Sequence, residues 1–248
     1  VIFLARHGRH HTFSPTSIPY RANIWALRSL GVRWILSPSA VGSLQDQIRP
    51  LDIVIPNQFI DRTHQRPITF FSEGVVAHVS MADPFCSVLS RLLAEEGEKL
   101  IPEGRQIHLG GTYLAMEGPA FSTRAESDLY RSWGCSVIGM TNHTEARLAR
   151  EAEIAYASLA MATDYDCWHQ SHEKVTVEMV IENLKANATV GAKIVEATAK
   201  RISSFRPKSY AHEALKEGLM TSKERVSDQT RKKIDIFTNK YWGPFNEK

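Results

Sequence analysis

The sequence is short of cysteine and has no long run of apolar residues. Cys86, Cys135 and Cys167 are an odd number without a C-x-x-C pair, which argues against a disulfide framework and a thiolate zinc site. The most nearly continuous apolar stretch, Ile154 to Thr163, falls well short of the roughly 20 residues of a membrane-spanning helix. Val1 to Ala5 is too short for the core of a signal peptide. There is no G-x-x-x-x-G-K phosphate loop, internal repeat or low-complexity segment. Charge of one sign is also scarce: a formal net charge of +3 points to nucleic acid no more than to a small anion. These absences leave a cytoplasmic protein with a small-molecule partner, and neither membrane nor nucleic acid.

With 248 residues, 43% of them hydrophobic, the chain can bury a substantial core. Strand-like runs occur at Val1–Ala5, Val32–Ser37, Asp52–Ile55, Gln58–Asp61, Gly111–Met116, Ser136–Met140 and Ile154–Thr163. Between them, helical patterns span Tyr20–Leu30, Asp83–Ala94, His143–Glu153 and Val177–Ile202, and capping boxes begin at Thr123 and Thr221. The alternation predicts an α/β three-layer fold, a central mixed twisted sheet flanked by helices. No linker divides it, so residues 1–248 read as one domain. Because the chain opens on Val1 inside a hydrophobic run, a preceding segment is expected.

Ligands of open α/β sheets collect at the carboxyl ends of strands. Four junctions there carry chemistry. Arg6-His7-Gly8-Arg9-His10-His11 offers a guanidinium fork to an anion, with a solvated basic loop or a metal trio of His7, His10 and His11 as the other readings. Ser37 to Ser43 supplies hydroxyls and N–H groups that could cradle phosphate, or an ordinary turn. Phe121 and Met140, beside Gly118-Pro119 and Thr141, suit a flat base and a sugar face, or core packing. Asp164 and Asp166 straddle Tyr165 directly after the most apolar strand. Desolvation and mutual repulsion would raise one toward the pKa of a general acid, and the plain alternative is a pair of exposed turn aspartates.

At these junctions the chain resembles the methylthioadenosine phosphorylases, a branch of the trimeric purine nucleoside phosphorylases. The shared motifs are Ala5-Arg6-His7-Gly8-Arg9, Arg21-Ala22-Asn23, Ser39-Ala40-Val41-Gly42-Ser43-Leu44, Gln58-Phe59-Ile60-Asp61-Arg62-Thr63, Met81-Ala82-Asp83-Pro84-Phe85-Cys86, Glu117-Gly118-Pro119, Phe121-Ser122-Thr123-Arg124-Ala125-Glu126-Ser127, and Ala162-Thr163-Asp164-Tyr165-Asp166-Cys167-Trp168.

The resemblance implies a phosphate site of Arg6, His7, Ser39, Ala40 and Thr141. Met140 would lie under the ribose and Phe121 by the base. Asp164-Tyr165-Asp166 would hold adenine, with Asp164 and Asp166 catalytic, and Ser122 and Val177 would tune which nucleoside fits. His78 would reach the 5′-substituent from a neighbouring subunit, which implies a homotrimer or a dimer of trimers. Phosphate is then a co-substrate and no cofactor is needed. In the branch that takes 6-oxopurines a Glu follows the phenylalanine and an Asn replaces the first aspartate; here the residues are Ser122 and Asp164, which favours a 6-aminopurine.

The implied reaction is phosphorolysis of S-methyl-5′-thioadenosine in purine and methionine salvage. The alternatives are phosphorolysis of other purine nucleosides, hydrolysis with water, and a truncated, non-catalytic nucleoside-binding homologue. Two departures stand out: no counterpart to the family's N-terminal strand and Gly-rich turn, and Thr144 where many relatives carry proline.

Overall fold

The computed structural model describes residues 1–169 and 177–245, and the side chains of residues 177–180 fall outside that description. Strands β1–β7 and helices α1–α6 are numbered in chain order. The architecture is organised by β7 (Ala155–Asp164), in which every residue but the last is buried. A strand covered on both faces can be apolar throughout. Its side chains alternate, Tyr156 into one helical layer and Ala155, Ala157 and Leu159 into the other.

β1 (Trp34–Ser43) lies parallel to β7 on one side, and β2 (Ile53–Ile55) lies antiparallel on the other. With β3 (Gln58–Arg62), β4 (Ile107–Leu109), β5 (Thr112–Met116) and β6 (Val137–Gly139) they form one mixed sheet in the order β3-β5-β6-β1-β7-β2-β4. Helices α2 (Ser87–Leu100) and α5 (Val177–Phe205) press Leu89, Leu93, Val190 and Ile194 against one face. Helices α1 (Tyr20–Ser29), α4 (Asn142–Glu151) and α6 (Asp228–Trp242) press Ile24, Leu27, Leu148, Ala149 and Phe237 against the other. This is the expected three-layer α/β fold. Helix α3 (Arg124–Ser132) starts at the predicted capping box: Thr123 accepts from the Glu126 N–H, and the Glu126 carboxylate accepts in return from the Thr123 N–H at 2.8 Å.

Four local expectations differ. Val1–Ala5 is not a strand, and Val1 and Phe3 stand 98% and 89% exposed; apolar residues make a strand only beside a ladder partner. Ser37–Ser43 is no turn but the second half of β1. Helix α2 begins at Ser87 rather than beside Pro84. The last helix is capped by Ser227, while the Thr221 hydroxyl accepts from the Val76 N–H.

Candidate active site

The ends of β1, β6 and β7 meet at one place because β1 changes partners. It pairs with β7 up to Val41, then a bulge carries Gly42 opposite Asp164 while Gly42 and Ser43 also pair with Ile138 and Val137 of β6. A Cβ on Gly42 would lie 3.1 Å from Asp164 Oδ1, 3.1 Å from Ile138 Cγ2 and 3.3 Å from Asp166 Cβ. Both aspartates therefore rest on a strand surface that only glycine leaves clear.

Asp164 ends β7 and Asp166 sits in the turn beyond it at φ 54°, in the left-handed region that aspartate tolerates better than most residues. That turn brings the Asp166 N–H onto Asp164 Oδ1 at 2.8 Å, and the Thr163 hydroxyl lies 2.7 Å from Asp164 Oδ2. The Ser127 hydroxyl, fully buried on α3, donates to Asp166 Oδ2 at 2.6 Å. Helix α5 fixes the strand end, with the Asn183 and Asn187 side-chain amides donating to the Thr163 and Ala162 carbonyls.

Burial pushes both carboxyls above the usual aspartate range, and the Asp164 charge adds to the rise of Asp166. The mutual repulsion expected from sequence acts on Asp166. For Asp164 the upward push is burial, opposed by the bonds from Thr163 and Asp166.

Phe121 is 68% exposed beside this turn, so core packing does not account for it. Its neighbour Ser122 accepts from the Cys167 thiol at 3.3 Å, joining the Phe121 loop to the aspartate turn, and points its hydroxyl at Met116 Sδ. Tyr165 lies between the aspartates with its ring stacked on His169. Met140 is half-buried against Gly118, where a Cβ would fall 2.5 Å from its sulfur. The Met140 carbonyl accepts from Arg66, whose wholly buried guanidinium also donates to Glu117, Tyr20 and Thr144.

The other end of the site lies at the N-terminus of α4. Thr141 is its buried N-cap and makes no side-chain capping bond. Nearby, both amide atoms of Asn142 are buried without a partner, and the buried Ser39 and Tyr113 hydroxyls lie against each other beside the Thr141 backbone. Ala40, next to Ser39, is exposed. Arg6 reaches this region with its fork largely occupied: Nε and Nη2 donate to Glu145, Nη2 also to Ser37 Oγ, and Nη1 to the Pro38 carbonyl at 3.1 Å. Of five N–H groups, one on Nη1 is left over. Arg6 is thus a directed single donor plus a charge, rather than the open fork its sequence context suggests. Burial opposes the Arg6 charge, but the adjacent carboxylate of Glu145 more than offsets this.

His7 is held within its own loop. Its Nδ1 lies 2.8 Å from the Phe13 carbonyl and its ring stacks on His11 at 4.1 Å, a parallel arrangement that does not converge lone pairs on one ion. Burial lowers its pKa, favouring the neutral ring. His78 is exposed and lies elsewhere, on the strip where Ala77 bridges Leu219. Val177 opens α5, and its side chain lies outside the described residues. Sequence reasoning passed over Glu145, Tyr156, Ser127 and Arg66 as contributors. Their signal is a partner distant in the chain, 139 residues away for Glu145 and Arg6, and spacing does not reveal that.

An α/β sheet whose strand ends gather a buried carboxylate pair and the polar groups of a helix N-terminus is the class these features define. Residues 1–200 match the model of the Phosphorylase superfamily. The chain is 76% identical over 247 residues to the S-methyl-5′-thioadenosine phosphorylase of Prochlorococcus marinus, covering all of this chain and 79% of that protein. It is 55% identical to the enzyme of that name from Thermosynechococcus vestitus, covering 97% and 83% of the two chains. Among solved structures, a methylthioadenosine phosphorylase from an antarctic soil metagenomic library superposes with a TM-score of 0.91 at 49% identity, over 95% of this chain and 82% of that one. The Schistosoma mansoni methylthioadenosine phosphorylase in complex with adenine gives 0.80 at 33% identity, over 90% and 83%. The chain belongs to the Phosphorylase superfamily and, within it, to the S-methyl-5′-thioadenosine phosphorylases.

Proposed function

We infer that this chain is a pentosyltransferase that converts S-methyl-5′-thioadenosine and inorganic phosphate to adenine and 5-methylthioribose 1-phosphate. The observation that carries this is the identity of 76% to a curated enzyme of that activity across the whole chain. Phosphorolysis of other purine nucleosides, hydrolysis and a non-catalytic binding role are not favoured.

The residue roles follow from charge and hydrogen-bonding capacity. A phosphate dianion suits the α4 N-terminus, where a helix presents unpaired N–H groups and the positive end of its dipole. The unpartnered Asn142 amide, Thr141 and the free Arg6 N–H support that placement, because a buried polar group left without a partner costs about 1–3 kcal/mol; the Ser39 hydroxyl, beside that of Tyr113, lies at the same corner. His7 and Ala40 would line its outer side. Phosphate oxygen attacks the anomeric carbon as the bond from that carbon to N9 breaks. The bonding electrons move into the purine, and Asp164, whose pKa burial raises, would deliver a proton to N7. Asp166, with one oxygen taken by Ser127, accepts from the 6-amino group with the other. Phe121, Tyr165 and Met140 would face base and ribose, and Ser122 and Val177 would shape the room around them.

Among the described residues no helix is long and apolar enough to cross a membrane. A cytoplasmic enzyme of one domain, assembled as a homotrimer so that His78 serves a neighbouring subunit's site, completes the reading. The base assignment is tested by comparing kcat/KM for methylthioadenosine and inosine: a preference of about 10³ or more is expected of a site built to pair one set of base hydrogen bonds. Comparable values would overturn it.

A further inference from the structure

Arg6 belongs to residues 1–19, which form neither helix nor strand. Nothing in its own backbone segment orients its side chain, and a free arginine samples many rotamers. Its direction is imposed from the core by Glu145, which stands in the first turn of α4. Glu145 is in turn held from two strands: it accepts from Ser37 Oγ of β1 at 2.7 Å and from the buried Tyr156 hydroxyl of β7 at 2.7 Å. Burial alone would raise the Glu145 carboxyl. The Arg6 charge and hydrogen bonds, with those from Ser37 and Tyr156, instead hold it below the usual carboxylate range. The carboxylate faces Arg6, Ser37 and Tyr156, whereas Asp166 is bonded to Ser127 of α3.

We propose that Glu145 is the positioning residue of the phosphate corner: it aims the remaining Arg6 N–H at phosphate and acts on the nucleoside not at all. The proposal rests on the reading of Arg6 as a phosphate ligand. A buried pair that merely stapled residues 1–19 to the core would have no reason to affect one substrate and spare the other. A positioning role requires that selectivity, and it requires Arg6 to be present.

The test is a double-mutant cycle on the purified full chain, with phosphate and methylthioadenosine varied in turn. Glu145→Gln keeps the shape and removes the charge that binds Nε and Nη2 together. Its KM for phosphate is expected to rise about 10-fold or more, with KM for methylthioadenosine within about twofold of the parent. In an Arg6→Ala background the same substitution is expected to add less than about twofold to the phosphate KM, because the residue through which it acts is gone.

Equal shifts in both KM values, or a full additional factor on top of Arg6→Ala, would overturn the positioning role. If Arg6→Ala alone left the phosphate KM unchanged, the phosphate assignment would fall, and the proposal with it. Should Glu145→Gln yield no soluble protein, Tyr156→Phe removes one of the donors to Glu145 without touching Arg6. A rise of about two- to fivefold in phosphate KM alone supports the proposal, and no rise overturns it.

Discussion

Gly42→Ala is the most demanding test of how the aspartate pair is positioned. The new methyl group would meet Asp164 Oδ1 and Ile138 Cγ2 at 3.1 Å and Asp166 Cβ at 3.3 Å, so each neighbour must yield a few tenths of an ångström. β1 cannot simply retreat, since Gly42 is in register with Asp164 on one side and with Ile138 on the other. Ile138 is fixed in the β1–β6 ladder, so the displacement falls on the two aspartates, straining the Ser127 and turn bonds that hold them. Misplacement of reacting groups by about 1 Å costs on the order of 10²-fold. A few tenths of an ångström then predicts a loss of about 3–10-fold in kcat/KM for methylthioadenosine, and crowding a close-packed site costs about 1–3 kcal/mol of stability. The assay is steady-state phosphorolysis with a thermal melt on the same preparation. Unchanged kcat/KM in a variant that melts lower would refute the reasoning, since the methyl group would then have been absorbed without moving the aspartates.

Two further predictions probe the surroundings. Ser127→Ala removes the donor to Asp166 Oδ2 and leaves burial and the Asp164 charge to push Asp166 further up; kcat/KM for methylthioadenosine should fall about 10-fold, matching a bond of about 1.4 kcal/mol, with the phosphate KM unmoved. His143 is buried 2.9 Å from Asp61, and burial, which outweighs that carboxylate, pushes its pKa from 6.5 down to about 4. Its folded pKa is the lower one, so the unfolded chain takes the proton first. Above 6.5 His143 has no effect on stability, and as pH falls from there toward about 4 the folded state loses up to about 1.4 kcal/mol per pH unit from this residue. Melts between those limits should show a slope that His143→Gln flattens; an equal slope in the variant would remove His143 as its source.

Much of the fold is legible in the sequence where local chemistry and packing agree. Thr123 and Glu126 satisfy each other's backbone N–H groups within four consecutive residues, so the start of α3 can be read directly. The Ile154–Thr163 run becomes β7 because a strand clad on both faces has nothing to gain from polar positions. Reading fails where the deciding partner is remote. Ser37–Ser43, with Pro38 and Gly42, looks like a turn until β7 and β6 supply its ladder, and Ile107–Leu109 is too short to stand out without β2 beside it.

The same division runs through the site. Asp164, Asp166 and Thr141 announce themselves as polar residues at or just past strand ends, whereas Ser39, which in sequence follows a strand-like run, sits inside β1. Arg6 is also visible, but the Glu145, Ser37 and Pro38 contacts that restrict its fork belong to elements more than thirty residues distant from it along the chain.

The most direct test of the central claim is to incubate the purified chain with methylthioadenosine, with and without phosphate, and to identify the sugar released. Adenine and 5-methylthioribose 1-phosphate in equal amounts, formed only when phosphate is present, is the predicted result. Free methylthioribose, or adenine release that does not depend on phosphate, would contradict it.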